Sequence, residues 1–186
     1  MIYVIRHGQT DWNKNKITMG RCDIPLNGEG IRQAYFSKEL INNYDIDFII
    51  CSPLTRARQT ADIVNIDRNV KILYDKRITE RFLGDLEGNA YPNDNNDIWD
   101  ININSNKYCV EPMVNFKNRI YGFIEYIMNE YPDKNILVVT HGGVSALFNC
   151  YFNDTLYNGT MSDKFLKNCS IAQYSNEKEK KYLKLL

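Results

Sequence analysis

A chain of 186 residues with 44% apolar side chains can bury one core, which argues for a single domain, 1–186, carrying at most a small cap. Lysine plus arginine equals aspartate plus glutamate at 23 each, so no overall field favours nucleic acid or an anionic membrane, and binding must come from a local site. The apolar stretches fall far short of a membrane span, and Met1 leads straight into a strand-like run without a basic and then apolar leader, so a cytoplasmic protein is expected.

The first element is Ile2–Ile5, an apolar run read as a buried parallel strand because it is continuous rather than alternating. It breaks off directly in Arg6-His7-Gly8, with no turn residues between core and charge. Asn27 is a plausible N-cap for a helix reaching about Asn42. A second buried strand, Phe48–Cys51, leads into Ser52-Pro53 and a helix bearing Leu54, Ala57, Ala61 and Val64 at helical spacing. Val70–Tyr74 is a weaker strand. The segment from Asn89 to Val110 is rich in Asn and Asp with scattered aromatics (Tyr91, Trp99, Tyr108), and reads as a loop or a small cap.

After Pro112 the apolar residues Phe116, Ile120, Phe123, Ile124, Ile127, Met128 and Tyr131 recur at helical spacing and stop before Pro132. One face of that helix packs on a sheet. Ile136–Val139 is the third buried strand, ending in Thr140-His141-Gly142-Gly143. Ser170–Tyr174 and Tyr182–Leu185 form a terminal pair around a charged turn. Strands alternating with helices predict an α/β layered fold.

The chain's only two histidines, His7 and His141, each close an apolar strand and precede a glycine. Ligands of open α/β sheets bind outside such carboxyl ends. A lone strand-end histidine is ordinarily satisfied by a backbone carbonyl; the same pattern using both histidines points to one pocket. The helix after Ser52-Pro53 offers free N–H groups to an anion, with Arg56 in its first turn. A surface salt bridge is the alternative for Arg56 and the preferred reading of Arg58. Two arginines, two histidines and a helix N-terminus describe a dianion site, most naturally a phosphoryl group. In "ITERFLGDLEG", Glu80 is either a solvated loop carboxylate or the proton donor to a leaving oxygen. Asn13 is a turn residue or a phosphate donor.

The five cysteines (Cys22, Cys51, Cys109, Cys150, Cys169) are odd in number and scattered, with no C-x-x-C pair, so they are read as reduced thiols. Only Cys22 has a basic neighbour, Arg21, and a catalytic thiol is disfavoured.

These motifs resemble the histidine phosphatase superfamily, the phosphoglycerate mutase-like group. Arg6-His7-Gly8 matches its signature and "RHGQTDWN" extends the match to Asn13. "SPLTRARQTA" supplies the family arginine as Arg56, "TERFLGDLEG" the family acid as Glu80, and "VVTHGG" the second histidine as His141. The resemblance implies a three-layer α/β/α sandwich with a mostly parallel central sheet. It implies that neutral His7 attacks phosphorus, that Arg6, Arg56 and His141 (as imidazolium) hold the equatorial oxygens with Asn13 as an auxiliary donor, and that Glu80 protonates the leaving alkoxide. No metal ligand set and no cofactor are implied; the partner is a small phosphorylated metabolite, and the oligomeric state is left open. Gln9 stands where many relatives carry Glu, and the segment 89–110 carries no matching motif. A phosphomonoester phosphatase is expected. The alternatives are a cofactor-dependent phosphoglycerate mutase, disfavoured because the chain ends in an apparent strand with no tail left for a lid, and a non-catalytic phospho-ligand binding protein. Should Glu80 not be the acid, Asp94 or Asp97 is the next candidate.

Overall fold

The computed structural model describes residues 1–90, 98–100, 105–155, 164–175 and 184–185. Six strands form one sheet: β1 (Ile2–Arg6), β2 (Phe48–Cys51), β3 (Lys71–Tyr74), β4 (Ile136–Thr140), β5 (Ile171–Tyr174) and β6 (Lys184–Leu185), in the order β3-β2-β4-β1-β5-β6. β3, β2, β4 and β1 are mutually parallel, and β5 and β6 add antiparallel pairs at one side. The central strands are continuous apolar runs because both their faces are covered.

Alternate residues make two cores. Ile2, Val4, Ile50, Ile136 and Val138 face α4 (Met113–Glu130) and α5 (Gly142–Phe152). Tyr3, Ile5, Ile49, Cys51, Leu137 and Val139 face the other way, toward Ile41 of α2 (Gly28–Ile41) and Ala57, Ala61 and Val64 of α3 (Thr55–Val64). The result is the expected three-layer α/β/α sandwich with a mostly parallel sheet. In α4 the stripe Phe116, Ile120, Phe123, Ile124 and Ile127 is fully buried. Each such side chain contributes roughly 1.5–3 kcal/mol by removal from water, so truncating one to alanine costs about 2–5 kcal/mol.

Three local features depart from the sequence-based expectation. A short helix α1 (Asp11–Lys14) follows the Arg6-His7-Gly8 segment, closed by a capping box between Thr10 and Asn13. α5 was not expected: His141 is its N-cap, and nine of its eleven residues are buried, so it lacks the polar stripe that periodicity detects. α3 begins at Thr55 rather than at Ser52-Pro53. Asn27 does cap α2, its Oδ1 accepting from Gly30 N at 2.9 Å. Residues Tyr91, Asp94, Asp97 and Tyr182 lie outside the described residues.

The register sets the site. β1 and β4 are neighbours with Arg6 opposite Thr140, so His7 and His141 leave the sheet side by side at its carboxyl edge. His7 N continues the ladder by donating to Thr140 O at 2.9 Å.

Candidate active site

A cavity of about 190 Å³ opens at this edge, lined by Arg6, His7, Asn13, Arg56 and Glu80 among the polar side chains. Five of the residues singled out in the sequence therefore meet at one place. His141 is fully buried beside them, its ring centroid 5.3 Å from that of His7 in an edge arrangement. Arg58 is exposed and away from the cavity, with its guanidinium over the Tyr74 ring at 5.4 Å.

The loop after β1 is held by backbone-to-backbone packing. A Cβ on Gly8 would stand 2.4 Å from Gly30 O, and one on Gly30 would stand 2.1 Å from Gln9 O, so the start of α2 meets this loop only because both residues are glycine. Gly8 N also donates to Thr60 Oγ1 at 3.1 Å, tying the loop to α3. Asn168, in the segment before β5, donates from Nδ2 to His7 O at 2.9 Å.

His7 is 3% exposed. Its Nδ1 lies 2.7 Å from Gly8 O, which can only accept, so the proton is on Nδ1. Its Nε2 accepts from Arg56 Nε at 3.3 Å. Burial first, then the Arg56 and Arg6 guanidiniums, hold its pKa well below the usual histidine range. The ring is neutral with a lone pair on Nε2.

Arg56 is buried too, and Nη1 and Nη2 donate to Cys22 O (2.7 Å) and Gly20 O (2.8 Å). Burial lowers its pKa to about 10, which still leaves it charged at neutral pH. The helix N-terminus expected to sit beside it as an anion site is already taken. Thr55 N and Oγ1 donate to the two carboxylate oxygens of Asp23 at 2.6 and 2.8 Å. The helix that does end at the cavity is α5, whose Gly142 lines it and whose Gly143 N–H points at Glu80.

Glu80 is 8% exposed and accepts two backbone bonds, Oε1 from Arg81 N at 2.9 Å and Oε2 from Gly143 N at 3.0 Å. Burial raises its pKa against those bonds and the nearby arginines, which lower it. A raised carboxyl in a cavity of cations is suited to proton donation. Gly143 cannot carry a side chain here: its Cβ would come within 2.6 Å of both Glu80 Oε1 and the Trp99 ring.

His141 Nε2 shares a hydrogen bond with Ser52 Oγ at 2.7 Å, while its buried Nδ1 has no partner among the described residues. Burial, then Arg56, His7 and Arg6, push its pKa well below the usual range. The imidazolium that the family resemblance implies is disfavoured by this burial and these charges, and it requires a phosphoryl dianion beside it to offset the arginines. Asn13 serves the turn through Oδ1, which accepts from Thr10 N at 3.2 Å, and it also lines the cavity.

Sequence reasoning missed Ser52, Trp99, Phe165 and Asn168. Trp99 and Phe165 meet edge to face at 4.8 Å and wall the cavity with Ile17, Met19 and Leu83. No local pattern marks these residues, since each reaches the site through the fold. Cys22 is no nucleophile in this setting: its thiol donates to Glu87 Oε2 at 3.3 Å, and burial and that carboxylate raise its pKa.

Residues 2–186 match the family described as Histidine phosphatase superfamily (branch 1). The chain belongs to that superfamily. This histidine phosphatase is 36% identical over 153 residues to the uncharacterized phosphatase PhoE of Bacillus subtilis, covering 76% of this chain and 71% of that protein. It is 30% identical over 156 residues to the adenosylcobalamin/alpha-ribazole phosphatase of Escherichia coli, covering 78% and 75%. The crystal structure of the alpha-ribazole phosphatase from Shigella flexneri superposes with a TM-score of 0.83 at 27% identity, covering all of this chain and 95% of the other. This histidine phosphatase is thus a phosphatase on the phosphoglycerate mutase-like fold. Among its described residues, no helix is long and apolar enough to cross a membrane.

Proposed function

We propose that the protein is a metal-independent phosphomonoester phosphatase that acts on a small phosphorylated metabolite through a phosphohistidine at Nε2 of His7. One observation carries the reading: the His7 proton is committed to Gly8 O, which leaves the Nε2 lone pair beside Arg56 at the cavity. That lone pair attacks phosphorus. The P–O ester bond breaks, its electrons pass to the leaving oxygen, and Glu80 supplies the proton. Water then attacks the phosphohistidine, Glu80 takes the water's proton, and the P–N electrons return to Nε2.

Throughout, Nδ1–H stays on the Gly8 carbonyl, which stabilises the positive ring of the intermediate. Arg6, Arg56, His141 and the Asn13 amide supply the fixed charge and donors that phosphoryl transfer requires. Trp99 and Phe165, which wall the cavity, limit water at the leaving group.

The cavity's cations among the described residues are Arg6 and Arg56, both beside His7. The rest of the wall is largely Ile17, Met19, Leu83, Trp99 and Phe165. Such a wall suits an uncharged leaving group better than the carboxylate of a phosphoglycerate, which favours phosphatase over mutase.

The test is acid-quenched turnover with labelled substrate, together with phosphate release from a substrate panel with and without 2,3-bisphosphoglycerate. Acid-labile label on His7, and activity indifferent to both EDTA and the bisphosphate, are expected. Label on a serine or cysteine, or chelation loss restored by Mg²⁺ or Zn²⁺, overturns the proposal.

A further inference from the structure

The loop that carries Glu80 makes no regular ladder, yet each carbonyl from Arg77 to Glu80 is held by a side chain. Arg119 Nη1 donates to Arg77 O (2.6 Å) and Thr79 O (2.9 Å), Thr140 Oγ1 to Ile78 O (2.8 Å), and Arg21 Nε to Glu80 O (3.0 Å). Arg119 Nη2 also reaches Glu80 O at 3.5 Å. Both arginines are anchored on one carboxylate. Glu111 accepts a two-pronged fork from Arg119 (Nε to Oε1 3.0 Å, Nη2 to Oε2 2.8 Å) and a third bond from Arg21 Nη2 at 3.0 Å.

The peptide unit joining Glu80 to Arg81 has its oxygen in the grip of Arg21 and Arg119, and its N–H is the one that binds Glu80 Oε1. A peptide is planar, so holding the oxygen fixes the direction of the N–H. The N–H in turn fixes one carboxylate oxygen. We infer that Arg119, Glu111 and Arg21 form a positioning clamp that aims the Glu80 carboxyl at the leaving oxygen. The inference rests on the reading of Glu80 as the general acid. Lysine at 119 would keep the charge and lose the fork, because an ammonium cannot span both Glu111 oxygens and two carbonyls at once.

The bland account is that these residues only staple the loop to α4. Burst-phase phosphorylation of His7 by glycerol 2-phosphate, whose alkoxide needs a proton, and by p-nitrophenyl phosphate, whose phenolate does not, separates the two. Arg119→Lys should slow the alkyl ester by about 10–10² more than the aryl ester, since misplacing an acid costs only the reaction that uses it. In a Glu80→Gln background, Arg119→Lys should leave the ratio of the two rates unchanged, because the acid is already gone.

Equal slowing of both esters by Arg119→Lys, or the same selective loss in the Glu80→Gln background, overturns the clamp. A Glu80→Gln enzyme with no ester selectivity instead overturns the acid reading on which the clamp depends. Should urea unfolding find Arg119→Lys unfolded, Arg21→Met decides. Its side chain is 39% exposed, its loss leaves the Arg119–Glu111 fork standing, and a selective loss in the same direction is required.

Discussion

Arg56 Nε sits 3.3 Å from His7 Nε2, although the two residues lie 49 positions apart in the chain. The other two guanidinium nitrogens close the 20–22 loop through Gly20 O and Cys22 O. One side chain thus faces His7 and holds part of the cavity wall. Arg56→Lys should lower kcat/KM by about 10²–10³, the usual cost of removing a preorganised donor. A buried carbonyl left without its donor should add about 1–3 kcal/mol of destabilisation. Steady-state kinetics alongside urea unfolding distinguishes the parts: lost stability with unchanged turnover would assign Arg56 to scaffolding alone.

Stability should fall on mild acidification. His7 and His141 both have folded pKa values below the ordinary 6.5. Between pH 6.5 and those lowered values the unfolded chain binds protons that the folded protein does not, so each histidine removes about 1.4 kcal/mol per pH unit as pH falls. Glu80 opposes this. Its folded pKa is raised above 4.5, so the folded state holds the extra proton from there up to the raised value, and that contribution is lost as pH rises. Urea midpoints measured from about pH 7 to 5 should therefore decline, and His141→Gln should flatten the decline by up to one proton's worth.

Ligand binding should reverse the charge of His141. A dianion at the arginines favours the imidazolium that burial and the nearby guanidiniums disfavour. Binding of tungstate, a phosphoryl analogue, should take up roughly one proton at about pH 6.5. Calorimetry in buffers of different ionisation enthalpy reads the number directly. No uptake would mean that His141 acts as a neutral donor.

Two glycines of neighbouring helices should respond oppositely to alanine. At Gly143 the methyl would meet Glu80 Oε1 and the Trp99 ring, each at 2.6 Å, so Gly143→Ala should depress turnover of alkyl esters by an order of magnitude or more. At Gly122, inside α4, nothing lies within 4 Å of the new methyl. Gly122→Ala should keep full activity and gain about 0.4–1 kcal/mol from the less flexible unfolded chain. Thermal melts and initial rates on the two variants check both halves.

What the sequence disclosed and withheld follows from range. Ile2–Arg6, Phe48–Cys51 and Ile136–Thr140 were legible to within one residue because a strand covered on both faces is a continuous apolar run. The stripe from Phe116 to Ile127 was legible from its own helical period, and the Asn27 cap because its partner Gly30 lies within one turn. α5 was not, since it is buried nearly all round and opens with two glycines. Arg56 was found with an incomplete reason. A helix N-terminus near Ser52-Pro53 was expected to bind the anion, and Asp23, 32 residues earlier, fills that role instead. Ser52 and Asn168 reach His141 and His7 across 89 and 161 residues, distances over which no spacing rule operates.

The strand order also sets a timetable for synthesis. β1 has no sheet neighbour earlier in the chain than β4, whose first residue, Ile136, pairs with Ile2. At roughly 5–20 residues per second, the ribosome leaves Ile2–Arg6 waiting on the order of 7–27 seconds for its partner. During that interval the backbone of Ile2–Arg6 has no ladder partner, and only the residues of α2 and α3 that share its core, such as Ile41 and Ala57, can shield Tyr3 and Ile5 from chaperones and from other chains.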